Sequence, residues 1–171
     1  MMKEIEIRNA QTSDAPEVWQ LVQSITALDP NSCYAYLLWC TYFQKYTLVA
    51  ERVDSSGTGQ QIVGFVSSFL VPERPDTLFV WQIGVAAAEQ GNGLGQRLLS
   101  ELVARTVTLH GRIQAVEATC TPSNAPSRRL FEGMARRCGA TVEYRKLFPE
   151  SYFPQTPHEE EQLIRIEPVQ I

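Results

Sequence analysis

No apolar run in this sequence approaches the ~18 residues that a membrane-spanning helix needs, so no membrane partner is expected. The start, Met1-Met2-Lys3-Glu4-Ile5-Glu6-Ile7-Arg8, alternates charged and apolar residues and lacks the apolar core of a signal peptide, which predicts a cytoplasmic protein. Basic residues are in short supply. Fifteen Lys and Arg against 19 Asp and Glu give a net charge of -4, and a sequence-independent nucleic-acid binder needs a basic face instead. Histidine is scarce, with His110 and His158 alone, and the four cysteines, Cys33, Cys40, Cys120 and Cys138, form no C-x-x-C. A metal site is therefore disfavoured, and the cysteines read as small buried apolar residues. Neither an internal repeat nor a low-complexity tract is present. What is present is core-forming material: 44% of the 171 residues are hydrophobic and 20% charged, which suits one globular domain and excludes disorder.

The pattern along the chain predicts a strand over residues 3–8 and then a helix capped by Ser13 or Asp14, with Pro16 in its first turn and apolar residues at Ala15, Val18, Trp19, Val22 and Ile25. Leu28-Asp29-Pro30-Asn31-Ser32 breaks that helix and can cap a second one carrying Tyr34, Leu37, Leu38 and Thr41. Strands follow over 46–53 and 61–71, joined by a hairpin loop at 54–59, with Pro72 and Pro75 ending the second. Residues 77–85 are nearly all apolar, as in a central strand buried on both faces. A helix with Leu94, Leu98, Leu99 and Leu102 on one side comes next. It is followed by a strand over 113–120, a helix capped by Ser123 and closed by Gly139, a strand over 140–147 and a short last strand at 163–166. The order β-α-α-β-β-β-α-β-α-β-β implies a mixed α/β sheet with helices on both faces.

Gln90-Gly91-Asn92-Gly93-Leu94-Gly95, between the central strand and the leucine helix, is the main chemical signal. Glycines bring bare N–H groups close to a ligand, and the new helix aims its unpaired N–H groups at the same spot, an arrangement that favours a diphosphate. No Gly-Lys pair exists for a P-loop, and Gly95 comes one residue too soon for a dinucleotide fingerprint. A plain helix-capping turn is the alternative. Gln90, Gly93 and Gly95 fit Q/R-x-x-G-x-G/A, which resembles the acetyl-CoA diphosphate loop of the GCN5-related N-acetyltransferases (GNAT). In that superfamily two parallel strands splay to admit the pantetheine arm, and the helix after the second begins near an Asn; Asn124 stands there, although Asn is common at any helix start.

Longer segments narrow the resemblance. Residues 28–40 (LDPNSCYAYLLWC), 63–67 (VGFVS), 75–82 (PDTLFVWQ), 121–127 (TPSNAPS) and 158–161 (HEEE) resemble the L-2,4-diaminobutyrate acetyltransferases, a likeness running from about residue 6 to 167. It implies the GNAT fold, one domain over residues 1–171 with a sheet of about six to seven strands and about four helices. It also implies acetyl transfer from acetyl-CoA to the 4-amino group of L-2,4-diaminobutyrate in ectoine synthesis, and a homodimer. The implied coenzyme contacts are Gln90, Gly91, Asn92, Gly93, Leu94 and Gly95, the backbone of Ile83 and Val85, and Asn124 and Phe131. The other readings are a GNAT enzyme for another diamine or polyamine, and a non-catalytic acyl-CoA-binding domain.

The amine must lose a proton before it attacks a thioester, since an alkylammonium has a pKa of about 10. Many relatives place an acid on the central strand, but residues 78–85 contain none, and Gln82 is their sole polar side chain. The candidate bases are Asp29, Glu117 and Glu161. Asp29 and Glu161, which the resemblance places around the diamine, are assigned to catalysis and substrate binding. Glu117 reads equally well as a strand residue paired with an arginine. Trp81 is either core or a wall of the acceptor site, and the resemblance assigns it to substrate binding; Tyr34 is assigned to catalysis and substrate binding, as a bond to substrate or the acid for the thiolate, with a core or dimer-surface aromatic as the alternative. Thr119 is assigned to substrate binding; Arg74, Thr119 and Ser127 are the guesses for the substrate carboxylate. A backbone N–H near Ile83–Val85 is expected to stabilise the thioester oxygen, with Gly84 marking a bulge. A Tyr commonly follows the Asn two helical turns later, as the acid for the leaving sulfur; here that position is Phe131.

Overall fold

The structure, a computed structural model, describes residues 4–53, 60–154 and 157–170. The predicted hairpin loop at 54–59 lies outside the described residues. The elements are β1 (Glu4–Asn9), α1 (Ala15–Gln23), α2 (Cys33–Tyr42), β2 (Thr47–Val53), β3 (Gln60–Val71), β4 (Arg74–Val85), α3 (Leu94–His110), β5 (Ala115–Cys120), α4 (Ala125–Arg137), β6 (Thr141–Phe148) and β7 (Glu161–Glu167), in the predicted order. They build a seven-stranded mixed sheet in the order β1-β2-β3-β4-β5-β7-β6. Every neighbouring pair is antiparallel except β4 with β5. The leucines of α3 and Phe131 and Met134 of α4 pack on one face, against Val66, Leu78, Val116 and Ile164. Val18 and Val22 of α1 and Tyr36 and Cys40 of α2 pack on the other, against Val49 and Phe65. Among the described residues no helix is long and apolar enough to cross a membrane.

Three local readings are corrected. Asp14 precedes α1, but its carboxylate does not cap it; that carboxylate accepts from Gln11 N (2.7 Å) and pairs with Arg8 (2.7 Å), holding the entry turn instead. Asn124, not Ser123, caps α4, accepting from Ser127 N at 3.1 Å, while the Ser123 hydroxyl is taken by Glu159. Pro75 lies inside β4 rather than ending β3. It is tolerated there because β5 joins β4 only from Thr77 onward, so the missing N–H costs no ladder bond on that side.

Two irregularities position the site. β4 and β5 pair from Thr77↔Ala115 to Val80↔Ala118 and no further. Beyond that point β4 continues along β3 and β5 along β7, so the parallel strands part. The bulge is at Trp81, not Gly84: Ser67 pairs with Gln82 and Ser68 with Val80, leaving Trp81 as the extra residue. Gly84 answers a different need. A Cβ there would lie 2.8 Å from Ile25, 2.9 Å from Phe65 and 3.0 Å from Leu28, so glycine lets the end of α1 close onto the strand.

Candidate active site

The turn after β4 has the conformation its glycines permit. Gly91 and Gly93 have φ of +81° and +77°, in the left-handed region, and a Cβ on either would meet nothing within 4 Å, so the turn borders open space. Gly93 is the N-cap of α3 and offers no side chain. The first helical bond runs from Arg97 N to Gly93 O (3.0 Å), which leaves the N–H groups of Leu94, Gly95 and Gln96 without helical acceptors. Leu94 is buried and anchors the helix start, Asn92 is exposed, and Gln90 turns back to donate to Val85 O (3.0 Å). Gly95 serves packing: a Cβ there would stand 3.2 Å from Leu130 Cδ1 of α4. A diphosphate fits this cradle, which presents bare donors and a positive helix end to open space.

The parting of β4 and β5 continues the same surface. Ala86 N donates to Val63 O (2.8 Å), so alternation along the strand sends the N–H groups of Ile83 and Val85 to the opposite edge, which β5 has left. Both side chains are half-buried. Asn124 stands at the start of α4, its amide nitrogen without a partner among the described residues, while its oxygen is used as the cap. Phe131 is 2% exposed within the larger core, so it offers this surface packing alone.

Across the gap, three of the assigned residues converge. Glu161, at the start of β7, is half-buried, and Thr119 of the neighbouring β5 favours its ionised form. His158 reaches both assigned carboxylates, its Nε2 standing 3.4 Å from Asp29 Oδ2 and 4.0 Å from Glu161 Oε1. Phe153 stacks on the imidazole at 3.8 Å. Burial pushes the Glu161 carboxyl above the ordinary glutamate value, against the pull of Thr119 and His158. The imidazole is shifted the other way in charge: a bond to the Glu159 carbonyl and the nearby Asp29 raise His158 toward the cationic form. Trp81 lies on the α2 side, where it stacks on Trp39 (4.7 Å, 10° between planes) and lies 6.0 Å from Tyr36, so Trp81 is both packed and part-exposed.

Other candidates stand apart. Glu117 is 2% exposed and clamped by Arg74 (2.7 and 2.9 Å) and Arg165 (2.7 Å). Burial alone would raise it, but the two guanidiniums outweigh burial and hold it below the ordinary range. Glu117 is thus a structural ion, and Arg74 is engaged with it rather than free for a substrate carboxylate. Tyr34 is 66% exposed in the first turn of α2, and its hydroxyl has no hydrogen bond among the described residues. Ser127 lends its N–H to the Asn124 cap.

The sequence reading passed over His158 and Trp39 as site residues. The signal for His158 was its place three residues before Glu161, in a chain with only one other histidine. Trp39 gave no such signal, because its stacking on Trp81 joins α2 to β4, which are distant in sequence.

The chain is similar to known proteins. The model of the "Acetyltransferase (GNAT) family" matches residues 6–135. The L-2,4-diaminobutyric acid acetyltransferase of Virgibacillus pantothenticus is 40% identical over 157 residues, covering 92% of this chain and 94% of that protein. The one from Nocardia farcinica is 44% identical over 163 residues, covering 95% and 80%. Among solved structures, the diaminobutyrate acetyltransferase EctA from Paenibacillus lautus, in complex with its substrate L-2,4-diaminobutyric acid and coenzyme A, superposes with a TM-score of 0.88 at 35% identity, covering 98% of this chain and 96% of that one. The chain belongs to the acetyltransferase (GNAT) family, and within it to the L-2,4-diaminobutyric acid acetyltransferases.

Proposed function

We propose that this protein transfers the acetyl group of acetyl-CoA to the 4-amino nitrogen of L-2,4-diaminobutyrate, giving N4-acetyl-L-2,4-diaminobutyrate for ectoine synthesis. The observation that carries this reading is a juxtaposition. The gap between β4 and β5 has a diphosphate cradle at its glycine turn, and the carboxylates of Asp29 and Glu161 face each other across His158 at its acceptor side. A thioester threaded from the cradle meets a site built for a cationic amine.

Acetyl-CoA supplies the activated acyl group; the chain's residues supply the rest. Asp29 and Glu161 attract the ammonium groups of the substrate, and Trp81, held by Trp39, walls its carbon chain. Glu161 takes the proton from the 4-ammonium, directly or through water, because burial makes it a stronger base than an ordinary glutamate. His158, close to both acids, limits their mutual repulsion as the cation enters and leaves. The free amine attacks the thioester directly, and the N–H groups of Ile83 or Val85 on the open edge of β4 meet the charge that grows on its oxygen. Phe131 cannot protonate the departing sulfur; a thiol of pKa about 8.5 can leave as thiolate and then take up the second proton that the acetylated nitrogen must lose.

The proposal extends to a cytoplasmic homodimer. Tyr34, Leu38 and Tyr42, at helical spacing on α2 and exposed by 66, 36 and 77%, support a surface that a second copy covers. Sedimentation at micromolar concentration tests this, with twice the chain mass expected.

The activity test is thiol release from acetyl-CoA with candidate amines, with the product assigned by NMR. Diaminobutyrate acetylated at nitrogen 4 is the expected result. A preference for spermidine, acetylation at nitrogen 2, or tight coenzyme binding with no thiol release for any amine would overturn the reading.

A further inference from the structure

The bulge at Trp81 places two consecutive residues of β4 on the α2 side of the sheet. Trp81 stacks on Trp39, and Gln82 accepts from the Tyr36 hydroxyl at 2.9 Å. Gln82 is buried, and its Nε2 donates to the backbone oxygen of Asp29 at 3.1 Å. The amide orientation follows from chemistry. The Asp29 carbonyl can only accept, so Nε2 must face it; Oε1 then faces Tyr36, whose hydroxyl must donate. The loop between α1 and α2 is held at a second point, where Trp19 Nε1 donates to Asn31 O (3.1 Å), and Asn31 Nδ2 reaches back to Asp29 O (3.2 Å). The backbone of Asp29 is therefore fixed from beneath, whereas its carboxylate is 78% exposed and meets His158.

We infer that Gln82 and Tyr36 are positioning residues, which set the Asp29 carboxylate for the substrate's ammonium group through the backbone of the α1–α2 loop. This rests on the reading of Asp29 as an amine-binding carboxylate. The polar position of the central strand then acts on substrate affinity without touching substrate. A glutamate at position 82 would put a carboxylate against the Asp29 carbonyl and lose the donor, so the amide is the side chain that satisfies both neighbours at once. Leaving either neighbour unpaired would remove a polar tie on the Asp29 backbone, although Leu28 and the Trp19–Asn31 bond still hold the loop.

Steady-state kinetics on the full-length protein test this, using Gln82→Met, Tyr36→Phe, Asp29→Asn and the double variants with Asp29→Asn. Gln82→Met is expected to raise KM for diaminobutyrate about tenfold and to move KM for acetyl-CoA less than about twofold, since a buried hydrogen bond to the loop is lost and the coenzyme cradle is untouched. Tyr36→Phe keeps the ring against Phe65 and Trp81 and is expected to act in the same direction by about threefold. If Gln82 works through Asp29, Gln82→Met adds less than about twofold once Asp29→Asn is present. Full multiplicative losses in the double variant, or a rise in both KM values together, would overturn the inference while leaving Asp29 in place. An unchanged KM for diaminobutyrate in Asp29→Asn alone would overturn the reading of Asp29, and the inference with it. Should Gln82→Met fail to fold, the cycle between Tyr36→Phe and Asp29→Asn carries the same outcomes.

Discussion

Glu117 and Glu161 sit on adjacent strands of one sheet, and their surroundings drive them in opposite directions. Two guanidiniums hold Glu117 ionised, so its stabilising contribution is complete above the ordinary glutamate value and is lost as pH falls through its lowered value. Glu117→Gln is expected to cost about 3 kcal/mol in denaturant unfolding at neutral pH, because two cations lose their shared partner. The kcat of the folded fraction should stay within about twofold, as for a group outside the chemistry. Glu161 behaves inversely. Its carboxyl is raised by burial, so the fold favours the protonated form, and stability falls as pH climbs from the ordinary value through the raised one. Glu161→Gln should therefore melt a few degrees higher than the native protein at pH 7–8, while losing about 10²–10³ in kcat and the ascending limb of the pH–rate profile. An unchanged limb would remove Glu161 as the base. Phe131→Tyr gives a third expectation. The new hydroxyl would enter a core position only 2% exposed, so it should lower stability by about 1–3 kcal/mol without raising kcat. Residue types and family likeness pointed to both glutamates and to Phe131. What separates Glu117 from Glu161 is their partners, Arg74 and Arg165 in one case and Thr119 and His158 in the other, and of these only His158 is a neighbour in sequence.

At the scale of elements, the glycine turn was the most legible feature, because positive φ at Gly91 and Gly93 is a demand that sequence states directly. Gly93→Ala has open space for its methyl, but a left-handed alanine costs about 1–2 kcal/mol, and relaxing that strain displaces the N–H cradle. Calorimetric titration should show coenzyme A binding about tenfold more weakly, with KM for diaminobutyrate little changed. The central strand was legible as an apolar run, but its bulge was not. Gly84 is the residue a sequence reader expects to bulge, whereas Trp81 does so because Tyr36, Trp39 and Phe69 offer an aromatic bed on the α2 side. The caps divide the same way: Ser32 caps α2 as its type predicts, but Ser123 yields to Asn124 because Glu159 claims its hydroxyl.

At the scale of the molecule, the order of strands and helices followed from periodicity, and the mixed sheet from the change between hairpins and strand-helix-strand units. The insertion of β7 between β5 and β6 carries no local signal, yet it is this crossing that brings Glu161 beside Thr119 and within reach of Asp29. The proposed site draws on the glycine turn before α3 and the start of α4 for the coenzyme, and on the α1–α2 loop and the segment before β7 for the acceptor. The most direct measurement of this account is a crystal structure of the protein with coenzyme A and diaminobutyrate. The account predicts the diphosphate on the N–H groups of Gly91–Gly95, the pantetheine between β4 and β5, and the 4-amino nitrogen between Glu161 and the sulfur. A diphosphate bound elsewhere, or a diamine remote from Asp29 and Glu161, would contradict it.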